Sequence, residues 1–353
     1  MSGNRSFPLN AWYVAAWDTE VKPALLARTI CSKKVVFYRA TDGRAVALED
    51  ACWHRLVPLS QGKLHGDDVA CPYHGLRFNP NGRCTYMPSQ DTINPSARVR
   101  SFPVVEKYRF VWIWPGDPAL ADPDLVPDLH WNDDTEHWVG EGSMVPFKGN
   151  YLMCTDNLLD LSHETYVHPK NLGNQAVAES PFEVIHGEKT ATVSRWMLNV
   201  SPPPFWRSLL GREVKVDRWQ ITHFLAPCYI ILEAGVAVAG TGAPQGDRSQ
   251  ALVTMGMHLI TPETETSSHY FWNITRNFKK SEQRMTTTIR DGVFGILAED
   301  AAIIAAQQEA ALANPDKVYY NLNVDGGGMW ARRKVDEMLA KEQGSASVQI
   351  AAE

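Results

Sequence analysis

The chain has 353 residues, 44% of them hydrophobic and 21% charged, a length that suggests about two domains with a core each. This composition excludes a disordered, fibrous or coiled-coil protein. The 34 basic and 40 acidic residues give a net charge of -6, so the sequence predicts no nucleic-acid partner and no anionic membrane surface.

The N-terminal segment from Met1 to Trp17 lacks the apolar run of a secretory signal. No stretch approaches the roughly 20 apolar residues of a membrane span. We therefore expect a soluble, cytoplasmic protein. In that reducing compartment the six cysteines are better explained as metal ligands or buried thiols than as disulfides.

The first third of the chain consists of short β-like runs separated by Gly, Asn, Asp and Pro, which is typical of a small antiparallel β domain. Four prolines among acidic residues follow between Trp114 and Leu129, and they disfavour both helix and central strand. We therefore predict a first domain over residues 1–117 and a Pro-rich connector over 118–129.

The second domain is predicted over residues 130–343. Its stretch "NYLMCTDNLLDLSHETYV" predicts a partly buried helix, and the β-branched and aromatic segments from Thr190 to Phe278 predict the strands of one sheet. A long helix is expected from Met285 to Ala313, and a flexible tail over 344–353. The expected fold class is α+β, an N-terminal antiparallel β domain followed by a domain with a curved antiparallel sheet and flanking helices.

The first chemical motif is "CWH", sixteen residues (55 to 70), then "CPYH", which offers Cys52, His54, Cys71 and His74 as ligands. Two cysteines and two histidines in mixed pairs are the ligand set of a Rieske 2Fe-2S cluster. The structural alternative is a zinc site, but zinc sites with these ligands usually group the cysteines in one pair and the histidines in another. The pattern therefore predicts an electron-transfer cluster.

The second motif is "DNLLDLSHETYVH", which supplies His163 and His168. Two histidines and one carboxylate form the facial triad of non-haem Fe(II) oxygenases, and Asp300, among apolar helical residues, is the candidate carboxylate. Its neighbour Glu299 is an alternative. On a regular helix the two histidines are about 140° out of phase, so both can face one metal only if the helix ends or bulges between them. Taken alone, these residues are better explained as core histidines and a solvated acid.

The cluster motif and its flanks "HRLVPLSQG" and "CPYHGLRFNPNG" resemble the α subunit of Rieske non-haem iron aromatic-ring oxygenases. Trp53 and Leu56 depart from this resemblance, because the family commonly has Pro and a small residue there. The departure leaves the ligands in place but bears on the exposure of the cluster edge and on how a redox partner docks.

The resemblance continues to "AED" and implies that His163, His168 and Asp300 bind a mononuclear iron. It also implies a homotrimer in which Asp160 bridges the iron site and the partner subunit's His74. Asn157, one turn earlier on the same face, is either a hydrogen-bond donor to the substrate or to oxygen at the iron, or a plain structural amide.

Within the family, stretches such as "NAWYVAAW", "PPFWR" and "VDRWQI" are most similar to oxygenase components that demethylate methoxybenzoates, of the vanillate O-demethylase and dicamba-demethylating type. This implies hydroxylation of an O-methyl group, giving a hemiacetal that collapses to a phenol and formaldehyde. Because the chain has no flavin or nicotinamide fingerprint, the electrons are expected from NADH through a separate flavin and 2Fe-2S reductase.

Pocket walls are expected from the sheet and from Phe205, Trp206 and Trp219, although each also suits simple core packing. His258 is the candidate contact to a substrate carboxylate, and no arginine stands out for that role.

Three alternatives stay open from the sequence. The same machinery can hydroxylate a methyl group or dihydroxylate a ring, and formaldehyde yield separates these reactions. A Rieske electron-transfer protein without oxygenase activity would be indifferent to loss of His163. A zinc-binding module would be colourless, whereas a Rieske protein is brown.

Overall fold

The computed structural model of the chain describes residues 6–169 and 175–350. It divides into two compact units. The first ends at Pro127 and also contains Thr261–Glu265, and the second contains Asp128–Ile260 and the residues from Thr266 onward.

The first unit is built from short antiparallel strands, as its alternating and β-branched runs predict. The strands are β1 (Tyr13–Trp17), β2 (Leu26–Ile30), β3 (Lys33–Arg39), β4 (Ala45–Glu49), β5 (Lys63–His65), β6 (Asp68–Ala70), β7 (Arg77–Phe78), β8 (Cys84–Tyr86), β9 (Val104–Lys107) and β10 (Phe110–Ile113). Among the described residues they form three sheets, in the orders β1-β10-β9, β2-β3-β4 and β5-β6-β7-β8.

Cys52 and Cys71 belong to the core of this unit, where they pack with buried side chains such as Val36, Leu48 and Phe78. Cys52 lies three residues after the end of β4, and Cys71 directly follows β6. Short strands therefore bring the two loops to one apolar core.

The Pro-rich segment forms short 3₁₀ turns, Pro118–Leu120 and Pro123–Leu125. Each turn starts with proline and is capped by the preceding aspartate, Asp117 or Asp122, whose side chain accepts a hydrogen bond from the backbone of the turn. Proline suits the first helical position and aspartate suits the cap, which explains why this composition gives turns rather than a long element.

The second unit is organised around an antiparallel sheet of seven strands in the described residues. The strands are β11 (Val139–Phe147), β12 (Phe182–His186), β13 (Thr190–Val200), β14 (Val216–Leu225), β15 (Tyr229–Val238), β16 (Leu252–Thr264) and β17 (Ser267–Arg276). Their order in the sheet is β11-β17-β16-β15-β14-β13-β12. Pro146 is tolerated because β11 is an edge strand. The predicted α+β class is confirmed.

Helices complete the second unit: α1 (Tyr151–Leu159), α2 (Glu164–Val167), α3 (Gln175–Glu179), α4 (Pro204–Leu210), α5 (Gln283–Ala313) and α6 (Gly326–Ile350). Helix α5 packs against β11 and α1, and α6 against α1, β12 and β13. Helix α6 continues through residues 344–350, within the segment predicted to be a flexible tail, and residues 351–353 lie outside the described part. No helix in the described ranges is both long and apolar enough to cross a bilayer.

Candidate active site

The two cluster loops share one backbone pattern. In each loop the cysteine N–H, of Cys52 or Cys71, donates to the carbonyl five residues later, at 2.9 and 2.8 Å. The cysteine carbonyl in turn accepts from the residue four positions later, Leu56 at 2.8 Å or Gly75 at 3.1 Å. Leu56 and Gly75 both have positive φ, 58° and 74°. The loops are therefore structural counterparts, although their sequences differ in length between Cys and His.

The four predicted cluster ligands come together at these loops. Burial, together with the neighbouring Cys71 thiol, raises the pKa of Cys52 to about 11, while both imidazoles are exposed. His54 Nδ1 and His74 Nδ1 lie 3.2 Å apart. Two nitrogens each about 2.1 Å from one tetrahedral metal ion would be separated by roughly 3.4 Å, so the pair fits an iron held by both rings.

The residues that depart from the family pattern enlarge the apolar surface beside the cluster histidines. Leu56 is 75% exposed, and Trp53 and Tyr73 are also exposed. For a leucine, positive φ is a strained conformation that glycine would adopt freely. The substitution therefore places an exposed apolar side chain at the cluster edge at a conformational cost.

The second group is a triad in which His168 and Asp300 are buried and His163 is half-buried. Among the described residues, His163, His168 and Asp300 form a group whose ligand atoms all lie within 4.8 Å of one another. His168 Nε2 is 3.1 Å and His163 Nε2 is 3.5 Å from Asp300 Oδ1. Ligands at right angles and about 2.1 Å from a metal ion are roughly 3.0 Å apart, so one ion fits among the three.

The local backbone explains how two histidines five residues apart face one point. Helix α1 ends at Leu159, and Asp160 leaves helical geometry with φ -120° and ψ 89°. His163 precedes the single turn α2, and His168 ends it. The stretch predicted as one partly buried helix is therefore interrupted, because Asp160 ends α1 and caps the following 3₁₀ turn through the Ser162 N–H.

Both histidines are oriented through their other ring nitrogen. His163 Nδ1 lies 2.6 Å from the carbonyl oxygen of Asp160, and His168 Nδ1 lies 2.6 Å from Glu299 Oε2. Both partners only accept hydrogen bonds, so each Nδ1 carries the proton and each Nε2 keeps a lone pair for a metal. Glu299 is thus not a third ligand in this geometry but the acceptor that orients His168.

Asp300 lies on the inner face of α5, whose buried positions recur at three- and four-residue spacing, as they do in Leu297, Asp300 and Ile304. Burial disfavours its charge, but hydrogen bonds and the positive charge of His163 and His168 outweigh this and lower its pKa. Burial lowers the pKa of both histidines, but Asp300, together with the Asp160 carbonyl at His163 and Glu299 at His168, outweighs burial and raises both values. A metal cation at the centre of the triad would balance the charge of the Asp300 carboxylate in place of the protons on the two imidazoles.

The amide of Asn157 points at the same carboxylate, because its Nδ2 donates to Asp300 Oδ1 at 3.1 Å. Asp156, the adjacent acid, is instead paired with Arg332 of α6 at 2.5 Å and takes no part in the triad. Of the predicted polar residues on α1, Asn157 therefore lies at the site and Asp156 ties two helices together.

The triad opens into a cavity of about 390 Å³ lined mainly by apolar side chains. Its floor is the inner face of strands β14 to β17, and one wall is the first half of α5. The lining residues are Asn157, Leu158, Leu161, His163, Glu164, His168, Pro204, Phe205, Trp206, Arg218, Gln220, Leu232, Ala234, Thr254, Gly256, His258, Ile274, Thr288, Ile289, Gly292, Val293, Ile296, Leu297 and Asp300.

Comparison with protein families assigns both halves of the chain. A Rieske [2Fe-2S] domain matches residues 11–103, and a vanillate O-demethylase oxygenase C-terminal domain matches residues 147–341. The chain belongs to the Rieske oxygenase family.

Relatives of this Rieske oxygenase match over nearly its whole length. The vanillate O-demethylase oxygenase subunit of Pseudomonas sp. strain HR199 is 41% identical, over 98% of this chain and 99% of the relative. The toluene-4-sulfonate monooxygenase system iron-sulfur subunit of Comamonas testosteroni is also 41% identical, over 96% and 99%.

The fold is similar to that of dicamba monooxygenase, solved in complex with 3,6-dichlorosalicylic acid, with a TM-score of 0.89 and 34% identity over 96% of this chain and 99% of that chain. Another structure of dicamba monooxygenase, with non-haem iron and dicamba, has a TM-score of 0.82 and 32% identity over the same shares.

The Rieske oxygenase places His258 on the cavity floor. Burial lowers the pKa of His258 to about 4, so the ring is neutral at neutral pH. Its Nδ1 is hydrogen-bonded to the Tyr270 hydroxyl at 3.0 Å, and among the described residues its Nε2 has no hydrogen-bond partner. Gly256 keeps space beside that nitrogen, because a Cβ there would come within 2.8 Å of it.

Of the three predicted aromatic wall residues, Phe205 and Trp206 line the cavity and Trp219 does not. Trp219 is fully buried on the other face of β14, stacked on Trp196 at 5.1 Å between ring centroids. For Trp219 the stated alternative of core packing applies, because strand side chains alternate and Arg218 and Gln220 on either side of it face the cavity instead.

Sequence reasoning missed the charged lining of this cavity. Arg218 and Glu164 lie in it, 3.8 Å apart, and Gln220 Nε2 donates to Glu164 Oε1 at 2.9 Å. The signal was present in "VDRWQI", where a two-residue period puts Arg218 and Gln220 on one face. The sequence did not reveal which face turns inward.

Proposed function

We propose that this Rieske oxygenase is the oxygenase component of a multicomponent monooxygenase that O-demethylates a methoxylated aromatic acid of the vanillate type. The observation that carries the proposal is the triad of His163, His168 and Asp300 at the wall of a cavity of about 390 Å³. Sites of this kind hold small, largely apolar ligands with a few polar contacts.

The substrates named for the relatives narrow the chemical class. Vanillate and dicamba are the substrates of two O-demethylases similar to this chain, and toluene-4-sulfonate is the substrate of a third relative. Each is an aromatic ring that carries an acid group. The same class suits a cavity with an apolar wall and a polar, charged patch.

His163, His168 and Asp300 would hold a mononuclear ferrous ion on one face and leave the other face for oxygen and substrate, and such an ion supplies the activation of O₂. Asn157 fixes the orientation of the Asp300 carboxylate through its 3.1 Å hydrogen bond. Apolar residues of α5 such as Val293 and Ile296 form the wall that excludes water. The cavity contributes positioning, since holding a methyl carbon near the reacting oxygen removes an orientational cost.

The overall reaction consumes the methoxyarene, O₂, two electrons and two protons, and yields the phenol, formaldehyde and water. The oxygen atom enters the methyl C–H bond, and the resulting hemiacetal loses formaldehyde without further oxidant. The electrons would come from NADH through a flavin and iron-sulfur reductase and pass through the Rieske cluster at Cys52, His54, Cys71 and His74. The chain is proposed to act in the cytoplasm.

The same proposal includes a homotrimer in which the cluster of one subunit serves the iron of its neighbour, with Asp160 next to the partner subunit's His74. Two inactive variants test it: Cys71→Ser, which lacks the cluster, and Asp300→Asn, which lacks the iron. Co-expressed, they should regain turnover by forming mixed trimers, whereas each alone stays inactive. A monomer in sedimentation, or no recovery in verified mixed oligomers, would contradict cross-subunit transfer.

The function itself is tested in a single turnover that needs no reductase. The loaded protein is reduced without oxygen and then mixed with 3-methoxybenzoate or vanillate in aerated buffer. We expect about one formaldehyde per O₂ consumed, together with reoxidation of the cluster. Reoxidation without formaldehyde across a panel of methoxybenzoates would reject O-demethylation.

A second candidate is monooxygenation of a methyl group on an aryl sulfonate, favoured by the toluene-4-sulfonate relative at the same 41% identity. It uses the same site and the same electrons but releases a benzylic alcohol rather than formaldehyde. Toluene-4-sulfonate in the same single-turnover experiment separates the two reactions by product.

A further inference from the structure

Three buried side chains line the cavity with polar atoms that lack hydrogen-bond partners. Arg218, Glu164 and Gln220 are each at most 4% exposed. Within the described part of the chain, Arg218 Nη1, Glu164 Oε2 and Gln220 Oε1 have no hydrogen-bond partner. Buried polar groups are almost always paired, so the orphaned donor Arg218 Nη1 indicates a ligand group that accepts a hydrogen bond, and the two orphaned oxygens indicate a ligand group that donates one.

The contacts among the three residues leave the arginine incompletely engaged. Its Nη2 is 3.8 Å from Glu164 Oε2, which is longer than a hydrogen bond. Glu164 is shared, because it also acts electrostatically on Arg195, a second buried arginine on the adjacent strand β13. Asp160 also acts on Arg195. Arg218 therefore keeps one donor, Nη1, without a partner among the described residues, in a side chain that lines the cavity.

The strand register places this charge far from His258. Gln220 pairs with Ala234, and Ala234 with Thr254, which defines one row of the cavity floor. Arg218 lies one row beyond it, level with Val236, whereas His258 pairs with Ile230. Val236 and Ile230 are six residues apart on β15, about 20 Å along the strand. The floor thus has two polar ends of different chemistry.

The two ends differ in charge. His258 is a neutral ring at neutral pH, so it offers a hydrogen bond and no formal charge. Burial lowers the pKa of Arg218, but an arginine stays protonated in proteins at neutral pH. A guanidinium donates to a carboxylate or sulfonate in a planar, charge-assisted geometry that a neutral amide cannot match.

We propose that Arg218 binds the acid group of the substrate and makes the cavity selective for aryl carboxylates and sulfonates over their neutral analogues. This contact lies at the opposite end of the floor from His258, the candidate that the sequence offered for the carboxylate. Glu164 directly follows His163 in the chain, so the acid-binding end and the iron site share the turn α2. The assignment of the methyl group to the iron end rests on the proposed function.

The test compares three matched ligands, 3-methoxybenzoate, 3-methoxybenzenesulfonate and the neutral 3-methoxybenzamide. Calorimetry on the loaded, oxidised protein gives each dissociation constant without turnover, and formaldehyde release gives KM and kcat. Wild type should bind both anions more tightly than the amide. Arg218→Met should weaken anion binding roughly 10- to 100-fold, raise KM for the acid and leave amide binding within about threefold.

Arg195→Met is the matched control, because Arg195 is equally buried, carries an orphaned Nε among the described residues and does not line the cavity. It should keep the preference for acid over amide. Loss of that preference in Arg195→Met with retention in Arg218→Met would overturn the proposal. Equal weakening of acid and amide in Arg218→Met would also overturn it, since that result indicates a purely structural role.

Arg218→Met leaves Glu164 buried without its partner and can impair folding. The pair Glu164→Gln and Glu164→Gln/Arg218→Met avoids this, because both partners are then neutral in the double variant. The single variant should keep or strengthen the preference for the acid, and the double variant should lose it. Retention of the preference in the double variant would refute Arg218 as the anchor.

The outcomes also separate this inference from the proposed function. If no methoxyarene releases formaldehyde, O-demethylation fails, but the calorimetric comparison of acid and amide still decides the role of Arg218. If formaldehyde forms from acid and amide with equal KM in wild type, O-demethylation stands and the role of Arg218 is rejected.

Discussion

The cluster loops and the triad, the two proposed iron sites, gather their side chains in opposite ways. All four predicted cluster ligands lie within residues 52–74, on two loops with a common backbone pattern and exposed imidazoles. The triad brings His168 together with Asp300, 132 residues later in the sequence, and both are buried. The proposed electron-transfer site is thus specified locally and kept at the surface, whereas the proposed oxygen-activating site is enclosed by elements of the whole second unit.

The ligands of the two sites are also oriented differently, by local backbone in the cluster loops and by distant groups in the triad. Backbone hydrogen bonds within each cluster loop set its geometry, so few other side chains are needed. In the triad, Glu299 from α5 and the Asp160 carbonyl from the break after α1 orient the two histidines. We therefore expect the triad to be sensitive to distant substitutions and the loops to respond mainly to their own backbone.

The largest effect should come from removing one site while leaving the other. Asp300→Asn should reduce turnover by more than about 100-fold and abolish iron binding at the triad, with cluster absorbance unchanged. Removing a residue that only orients a metal ligand typically lowers metal affinity or activity about 10- to 100-fold, and removing the ligand itself should lower them further. Cys71→Ser should do the reverse and bleach the cluster while iron stays bound. Metal analysis and visible spectra report both.

Asp291→Asn is the control for this pair, because Asp291 lies exposed on the same helix and pairs with Arg290. It should leave both sites loaded and turnover unchanged. Iron binding and near-normal turnover in Asp300→Asn would contradict the assignment of separate roles to the two sites, since the triad would then not be the site of oxygen chemistry.

The second prediction concerns the orienting carboxylate. Glu299→Gln should lower iron affinity about 10- to 100-fold without affecting the cluster, because the His168 Nδ1–H loses a charged acceptor and the imidazole becomes a weaker ligand. Competition with an iron chelator measures this. Glu309→Gln, an exposed position on the same helix, should have no effect. Equal iron retention in both variants would show that His168 does not depend on Glu299.

The buried His258 should make the stability of the protein depend on pH. His258 has a pKa of about 4 in the folded protein, below its ordinary value near 6.5, so between these values the unfolded chain binds a proton that the folded protein does not. Stability from this residue is therefore present above pH 6.5 and is lost as the pH falls through 4. By pH 4.5 the loss is about 2 to 3 kcal/mol.

His258→Gln should remove that part of the acid sensitivity. Denaturant unfolding at pH 7 and pH 4.5 gives the free energy of unfolding for wild type and variant. The difference between the two pH values should be smaller in the variant. Parallel losses in both proteins would mean that His258 is not buried in its neutral form.

The smallest expected effect tests whether Leu56 and Gly75 occupy equivalent backbone positions in the two cluster loops. Leu56→Gly should stabilise the cluster unit by about 0.5 to 1 kcal/mol, because relief of the left-handed conformation exceeds the entropy that glycine loses on folding. Gly75→Ala should destabilise it by about 1 kcal/mol, because the φ of 74° strains any residue that has a Cβ, whereas the space itself is open, with only Pro88 at an ordinary 3.6 Å. Denaturant-induced loss of cluster absorbance measures both, and changes of the same sign would contradict the equivalence of the loops.

Particular residues show how far the sequence determined this protein. The cluster ligands and the α+β class follow from local spacing and hydrophobic period, because short-range patterns fix which residues share a loop or a face. The residues His163, His168 and Asp300 were also named in advance, but through resemblance, since spacing alone left core histidines and Glu299 as alternatives.

Tertiary structure decided the rest. It interrupts the helix at Asp160, turns Glu299 towards His168, and faces Arg218 rather than Trp219 into the cavity. A sequence period defines two faces of a strand or helix but not which face is buried, and it cannot give the distance between groups more than 100 residues apart. Burial and packing of the whole second unit settle both, and with them the charge and shape of the site.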